Sequence, residues 1–430
     1  MRFIILFILV AAQSWAAPTL PPGFKATTVV EGIDAATALT IAPDGRIFYA
    51  QQTGEIRLVK GGQLLPNPAL DLSAKLDTWW ERGLIGLTLH PDFPRTPYLY
   101  TVYVAKDPHT HHVVSRFTVV GDTLDSASEM ILIEGDDQST LGGFQPAGHQ
   151  GGPIVFGQDG HLYIGLGEQT ASEPSQSLKT LQGKILRIRQ DGSIPIDNPF
   201  YRKTEGKYRS IYAIGIRNPF GLAVDPGSGH LLESDVGGSA FEEINDIVAG
   251  ANYGWPQAEG MSDNVAFTNP LHAYPPAIGR SICGAAFYPT SGSFPDQWHG
   301  KLFIADWANH WLRAIDLNDP SKLLPFGKGF EAPVGIAAAP DGSLYVLNRN
   351  TRWRDGKIYQ DGTGSLVQIR YVGEDEAPAE VVTHPQTLGD TGVFANTSDL
   401  EPAAGFHSFQ MNAALWQAGV VPRRWIRVPE

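Results

Sequence analysis

The sequence predicts an all-β chain: a six-bladed β-propeller with four-stranded blades, followed by a short C-terminal extension. Three observations predict it. One unit recurs six times at roughly 50–70 residue spacing, as an apolar strand, a Pro-Asp-Gly-like turn, a second apolar or aromatic strand, a loop and a third strand. Glycine (47) and proline (32) are abundant, which suits many turns between short strands. No stretch carries a convincing long-helix period.

The units fall at residues 39–49, 86–103, 149–166, 221–234, 285–305 and 335–347. A β-helix is the alternative repeat architecture, but its repeats are much shorter. The early run 25–30 is expected to pair beside the late run 365–370, closing the ring without exposed edges. Three segments follow: a leader at 1–17, the propeller at 18–372, and a linker with a partial C-terminal module at 373–430.

The leader has Arg2, an apolar run over residues 3–10 and a small-x-small site at Ser14-Trp-Ala16, which reads as a secretory signal peptide cut after Ala16 or Ala17. The run is too short for a comfortable membrane span. The expected location is therefore the periplasm or the exterior, with no integral membrane segment after cleavage. Of 430 residues, 42% are hydrophobic, ample for a large core. The formal net charge of −13 and the lack of basic runs exclude nucleic acid as a partner. Cys283 is the single cysteine, so an intrachain disulfide is impossible.

A propeller brings the residues just before its innermost strands to one mouth of the central channel. Those residues are Ala35-Ala36, Glu81-Arg82, His149-Gln150, Arg217-Asn218, Arg280-Ser281 and Pro333-Val334. Such a gathering of polar and charged groups suits an anionic or polyhydroxyl ligand, or else a salt-bridged channel plug. His149 stands among glycines, and Glu168 lies just past the returning strand, at the same sheet edge. A carboxylate beside an imidazole orients it and raises its basicity, which makes His149 a candidate general base. His109, His111 and His112 read as a solvated loop, since no carboxylate follows at ligand spacing. Trp79-Trp80 suit either stacking on a sugar ring or blade-edge packing.

Several motifs resemble those of the soluble glucose/sorbosone dehydrogenase family. They are Arg82-Gly-Leu-Ile-Gly86, His149-Gln-Gly-Gly152, Gly215-Ile-Arg-Asn-Pro-Phe-Gly221, and Glu243-Ile-Asn-Asp-Ile with Asn252-Tyr-Gly-Trp-Pro256. The resemblance implies a six-bladed propeller that oxidises a sugar or related alcohol with pyrroloquinoline quinone (PQQ) and calcium. It puts the proton-accepting role on His149, held by Glu168, and quinone contacts on Arg217 and Asn218. It implies a catalytic calcium on the carbonyls of Gly237 and Gly238, and a second calcium held by Glu243, the Tyr253 carbonyl and Asp263. Carbonyl and carboxylate oxygens suit that hard ion.

The chain departs from the family where the cofactor's carboxylates need cations. Ala308, Ala332 and Val334 stand where the family has a lysine and two arginines, and Glu81 and Phe220 replace glutamines. Arg82, Arg280, Arg313, Arg349, Arg352 and Arg354 are the available substitutes. Three functions are thus in view: an exported PQQ-dependent sugar dehydrogenase; a calcium-stabilised propeller that binds carbohydrate or protein without redox chemistry, as the resemblance extends to hedgehog-interacting-protein-like relatives; and lactone hydrolysis on a channel metal, with Glu81 the obvious carboxylate. The tail resembles the opening of a module found beside haem domains, which implies a haem-type electron acceptor as a partner.

Overall fold

The structure, a computed structural model, describes residues 17–143, 148–349 and 362–374, and four short strands beyond them. The predicted leader, apart from Ala17, lies outside the described residues, as do Arg352 and Arg354. The chain divides into two compact units, Met1–Glu376 and Ala377–Glu430. In the second unit Phe394–Asn396 pairs with Glu401–Pro402, and Phe406–Ser408 with Trp425–Arg427.

The first unit is a six-bladed propeller of antiparallel sheets. The inner strands, blade one to blade six, are Ala36–Ile41, Leu84–Leu89, Gly151–Phe156, Pro219–Val224, Ile282–Phe287 and Pro333–Ala338. Blade one departs from the four-strand pattern, because Leu70–Asp71 adds a fifth, two-residue strand against Glu55–Lys60. Blade six is completed by the first strand of the chain: Phe24–Ile33 pairs with Gly364–Tyr371, with Lys25 opposite Arg370 and Val30 opposite Leu366. This is the closure read from the sequence, and it leaves the ring without a free edge between its ends.

The core lies between blades, in six hydrophobic clusters, one for each pair of neighbours around the ring. Blades five and six meet through aromatic edges, for example Phe24 against Phe294 at 4.7 Å and against Phe326 at 5.1 Å between centroids. Near the channel, space is tight. A Cβ at Gly86 would stand 1.9 Å from the Gly152 carbonyl oxygen of the next blade, so only glycine lets these inner strands approach.

Every inner strand also breaks register at its start. The shifts fall at Ala36/Ala38, Leu84/Gly86, Gly151/Ile154, Pro219/Gly221, Cys283/Ala285 and Pro333/Gly335. A bulge bends a strand and re-aims its side chains. Repeated six times, it turns Thr37, Ile85, Phe220 and Val334 into the channel mouth, where all four line one cavity.

Candidate active site at the channel mouth

That cavity holds about 350 Å³, within the range typical of small-molecule sites. Of the expected site residues, the structure brings together Glu81, His149, Arg217, Asn218 and Gly237 around it. Gln52, Trp80, Cys283, Trp307 and Arg349 join them.

Carboxylates at the ends of the second strands pin the loops that enter the mouth. Asp235 closes the second strand of blade four and accepts from the Arg217 N–H at 2.9 Å and the Asn218 N–H at 2.6 Å. Asp306 does the same in blade five, accepting from the Ser281 N–H at 3.1 Å. Asn218 passes the order on, its Oδ1 accepting from the Gly151 N–H at 3.1 Å.

His149 is held from four sides. Its backbone is left-handed at φ 54°, unusual for a side chain of its size. Its N–H donates to Glu81 Oε2 at 2.6 Å, and its carbonyl accepts from the Gln169 N–H at 3.1 Å. Its Nδ1 lies 2.5 Å from Glu168 Oε1, and its Nε2 lies 3.1 Å from Arg217 Nη2. Glu168 is fully buried, and its other oxygen accepts from the Ser172 N–H at 2.5 Å. A guanidinium only donates, so Nε2 is the accepting nitrogen and Nδ1–H donates to Glu168. In this arrangement the Nε2 lone pair is engaged by the Arg217 guanidinium, and His149 lines the cavity.

Arg217 donates to the Val236 carbonyl at 2.7 Å and lies over the Trp255 ring at 5.1 Å. Its Nε is buried and has no acceptor. A buried donor without an acceptor is costly unless a bound group supplies one. With aromatic faces from Trp80, Phe220 and Trp307, the cavity fits a planar ligand with oxygen acceptors. PQQ has that chemistry, and among the described residues Arg217 and Arg349 are the arginines that line the cavity.

Other expectations take a different place. Arg82 is engaged by Asp77 at 3.0 Å and Gln138 at 3.2 Å, and does not line the cavity. Arg280 is exposed, and Arg313 lies over Trp311 on an outer strand. Val334 and Phe220 do face the cavity and make that part of its wall apolar, while Ala332 is buried and Ala308 half-buried.

Gly237 is on the cavity wall, and Gly238 follows it in a loop tied by Glu259. One oxygen of Glu259 accepts from the N–H groups of Gly238, Ser239, Ala240 and Phe241, all at 2.8–2.9 Å. Burial disfavours its charge, yet those donors win, and the Glu259 carboxyl sits below its usual range. Glu243 is buried in the third strand of blade four, with Oε1 accepting from the Gly260 N–H at 2.5 Å. Tyr253 is buried nearby in sequence, and Asp263 is exposed. Among the described residues no three or more His, Cys, Asp or Glu side chains are grouped to hold a metal ion.

Blade four nonetheless concentrates buried acid. Glu233 stands opposite Asn245, and Asp235 opposite Glu243. Burial lifts Asp235 to about 6, against its two backbone donors, and lifts Glu243 to about 8, with Asp235 adding to the effect. Burial and then Asp235 push Glu233 well above the carboxylate range, and its Oε1 has no partner.

A six-bladed propeller with a histidine, its carboxylate partner and an arginine at the channel mouth defines an enzyme-like site built on a closed ring. A family model for glucose/sorbosone dehydrogenases matches residues 33–360, and the chain belongs to that family. It is 30% identical over 369 residues to aldose sugar dehydrogenase YliI of Escherichia coli, across 80% of this chain and 94% of that protein. It is 30% identical over 319 residues to quinoprotein glucose dehydrogenase B of Acinetobacter calcoaceticus, across 65% of this chain and 63% of that one. The crystal structure of the E. coli aldose sugar dehydrogenase superposes with a TM-score of 0.69 at 26% identity, covering 81% of this chain and 99% of that one.

Proposed function

We propose that the protein is an exported quinoprotein dehydrogenase that oxidises the C1 hydroxyl of an aldose, or a related alcohol, with PQQ and calcium. The observation that carries the reading is the pairing at the mouth: His149 oriented by Glu168, beside an Arg217 whose buried Nε has no acceptor. PQQ, when bound, supplies a two-electron acceptor for the hydride that leaves the sugar carbon.

His149 Nε2 takes the hydroxyl proton as the C1 hydride departs, so an aldose becomes its lactone. Glu168 keeps the proton on Nδ1 and stabilises the imidazolium that forms. Arg217, with Asn218, holds ligand oxygens and stabilises negative charge there. The carbonyls of Gly237 and Gly238 are the calcium ligands of this reading, and Glu243, the Tyr253 carbonyl and Asp263 those of a second calcium. The leader at 1–17 sends the chain to the periplasm or exterior, and a haem-type partner receives the electrons.

The similarity to the quinoprotein from A. calcoaceticus and to the E. coli sugar dehydrogenase supports this reading. A second reading, a calcium-stabilised propeller that binds carbohydrate or protein without redox chemistry, is favoured by one observation: Phe220 and Val334 present carbon where a polycarboxylate would want charge. The test is to add PQQ and calcium to purified protein and follow reduction of an artificial electron acceptor with aldoses. Aldose-dependent reduction that requires PQQ is expected; binding of carbohydrate without any reduction selects the second reading.

A further inference from the structure

Lys184 opens the third strand of blade three, and its side chain is fully buried. Its Nζ donates to three backbone carbonyls, those of Pro174 at 2.6 Å, Gln182 at 2.7 Å and Ser175 at 3.0 Å. An ammonium group has three donors, and each meets an acceptor here. Burial opposes that charge, and the three acceptors offset it. Two of the acceptors, Pro174 and Ser175, belong to the short 3-10 turn Glu173–Gln176, which Ser172 precedes. The turn is pressed onto the strand: a Cβ at Gly183 would stand 2.6 Å from Ser175 Cα, so only glycine fits beside the lysine.

This turn ends the loop that carries Glu168. Between them, Gln169, Thr170 and Ser172 all have left-handed backbone, with φ at 62°, 57° and 61°. Side chains of that kind take such a conformation only where the surroundings impose it. Ser172 joins the two ends of the loop. Its N–H donates to Glu168 Oε2 at 2.5 Å, and its carbonyl accepts from the Ser175 N–H at 3.1 Å. Hydrogen bonds thus connect Lys184 to Ser175, Ser175 to Ser172, Ser172 to Glu168 and Glu168 to His149.

We propose that Lys184 is a positioning residue of the His149–Glu168 dyad, clamping the 3-10 turn so that Ser172 holds the Glu168 carboxylate against the imidazole. The proposal rests on the reading above, in which His149 is the base, and adds the residue that keeps its carboxylate partner in place. Without the clamp the left-handed residues relax, the Ser172 N–H leaves Oε2, and the carboxylate is free to turn away from Nδ1.

The test reads the imidazole without any cofactor. Labelling of His149 by diethyl pyrocarbonate at about pH 7.5, quantified by mass spectrometry of its peptide, is timed in wild type, Glu168→Gln, Lys184→Met and the double variant, with thermal midpoints recorded alongside. Each single variant is expected to slow labelling about three- to tenfold, because each takes the carboxylate from Nδ1 and makes the ring a poorer nucleophile. The double variant is expected to react no more slowly than Glu168→Gln, because the lysine acts through that carboxylate alone. A wild-type rate in Lys184→Met overturns the proposal, even where the thermal midpoint falls. So does a lysine effect that persists in full beside Glu168→Gln, which makes Lys184 an anchor of the fold only. Should the methionine variant not fold, Lys184→Gln, whose amide ends one bond short, is judged by the same two criteria. A wild type that oxidises no aldose with PQQ and calcium fails the dehydrogenase reading, a separate outcome, while the labelling cycle still decides for or against Lys184.

Discussion

Arg217 Nη2 lies 3.1 Å from His149 Nε2, so one arginine sets the tautomer of the imidazole that it flanks. With Nε2 accepting from Arg217 and Nδ1–H donating to Glu168, the imidazole has the tautomer that the proposed base role requires. His149→Ala is expected to abolish aldose turnover, by more than about 1000-fold, while PQQ affinity changes little, since the ring is a base more than an anchor. Undiminished turnover would remove His149 from the mechanism.

Glu168 tests the same dyad from behind. Both its oxygens are engaged, one by His149 and one by the Ser172 N–H. Glu168→Gln puts an amide NH₂ against one of those donors and removes the charge that stabilises imidazolium. The expected result is a fall in kcat of about 100-fold with KM nearly unchanged, as for a group that acts in the transition state. A change confined to KM contradicts it.

Much of this arrangement was legible in the sequence. The Pro-Asp-Gly turns between apolar strands have a period that only a ring of blades satisfies, and the closing strand follows from the need to cover an edge. Glu81, His149, Arg217 and Asn218 were readable as mouth residues because each precedes an inner strand. The bulges were not readable, since an unpaired residue is defined by the partner strand and not by its own neighbours. They decide that Phe220 and Val334 face the ligand space. Arg82 and Arg280 share the expected position but not the role: Arg82 is taken up by Asp77 and Gln138, and Arg280 points to solvent. Glu259 left no motif, because its partners are four consecutive backbone N–H groups.

His112 carries stability that acidification removes, opposed by the buried carboxylates of blade four, whose raised pKa values favour the folded state as pH falls. Burial lowers its pKa from 6.5 to about 4, and its Nε2 is 3.0 Å from the Gln150 carbonyl. The unfolded chain takes up this proton near pH 6.5 and the folded chain only near pH 4. The linked stability is therefore whole above pH 6.5 and is lost as pH falls toward 4, by on the order of 3 kcal/mol. The difference in thermal midpoint between wild type and His112→Gln, followed from pH 7 to pH 4.5, measures it, and wild type should lose stability relative to the variant as pH falls. An equal acid slope in the variant contradicts the assignment.

The close approach of blades two and three makes a steric prediction. Gly86→Ala forces a Cβ onto the Gly152 carbonyl and should cost about 3 kcal/mol by denaturant unfolding. Gly121→Ala, where φ is 62° but nothing lies within 4 Å, should cost about 1 kcal/mol from backbone strain alone. Similar losses at both sites would mean that the inner strands are not packed this tightly.

Loop 237–241 offers a test of the proposed calcium site. Glu259→Ala opens the four-donor nest and should weaken calcium-dependent thermal stabilisation at least about tenfold in calcium concentration, with formate restoring part of it by filling the nest. Calcium stabilisation identical to wild type would separate that loop from the metal.

The central claim, that the channel mouth is a quinone site, is tested most directly by titrating the purified protein with PQQ and calcium while following absorbance, then adding an aldose. A saturable spectral change at micromolar PQQ, followed by conversion to the reduced spectrum on adding aldose, is the predicted result. No spectral change at micromolar cofactor contradicts the claim.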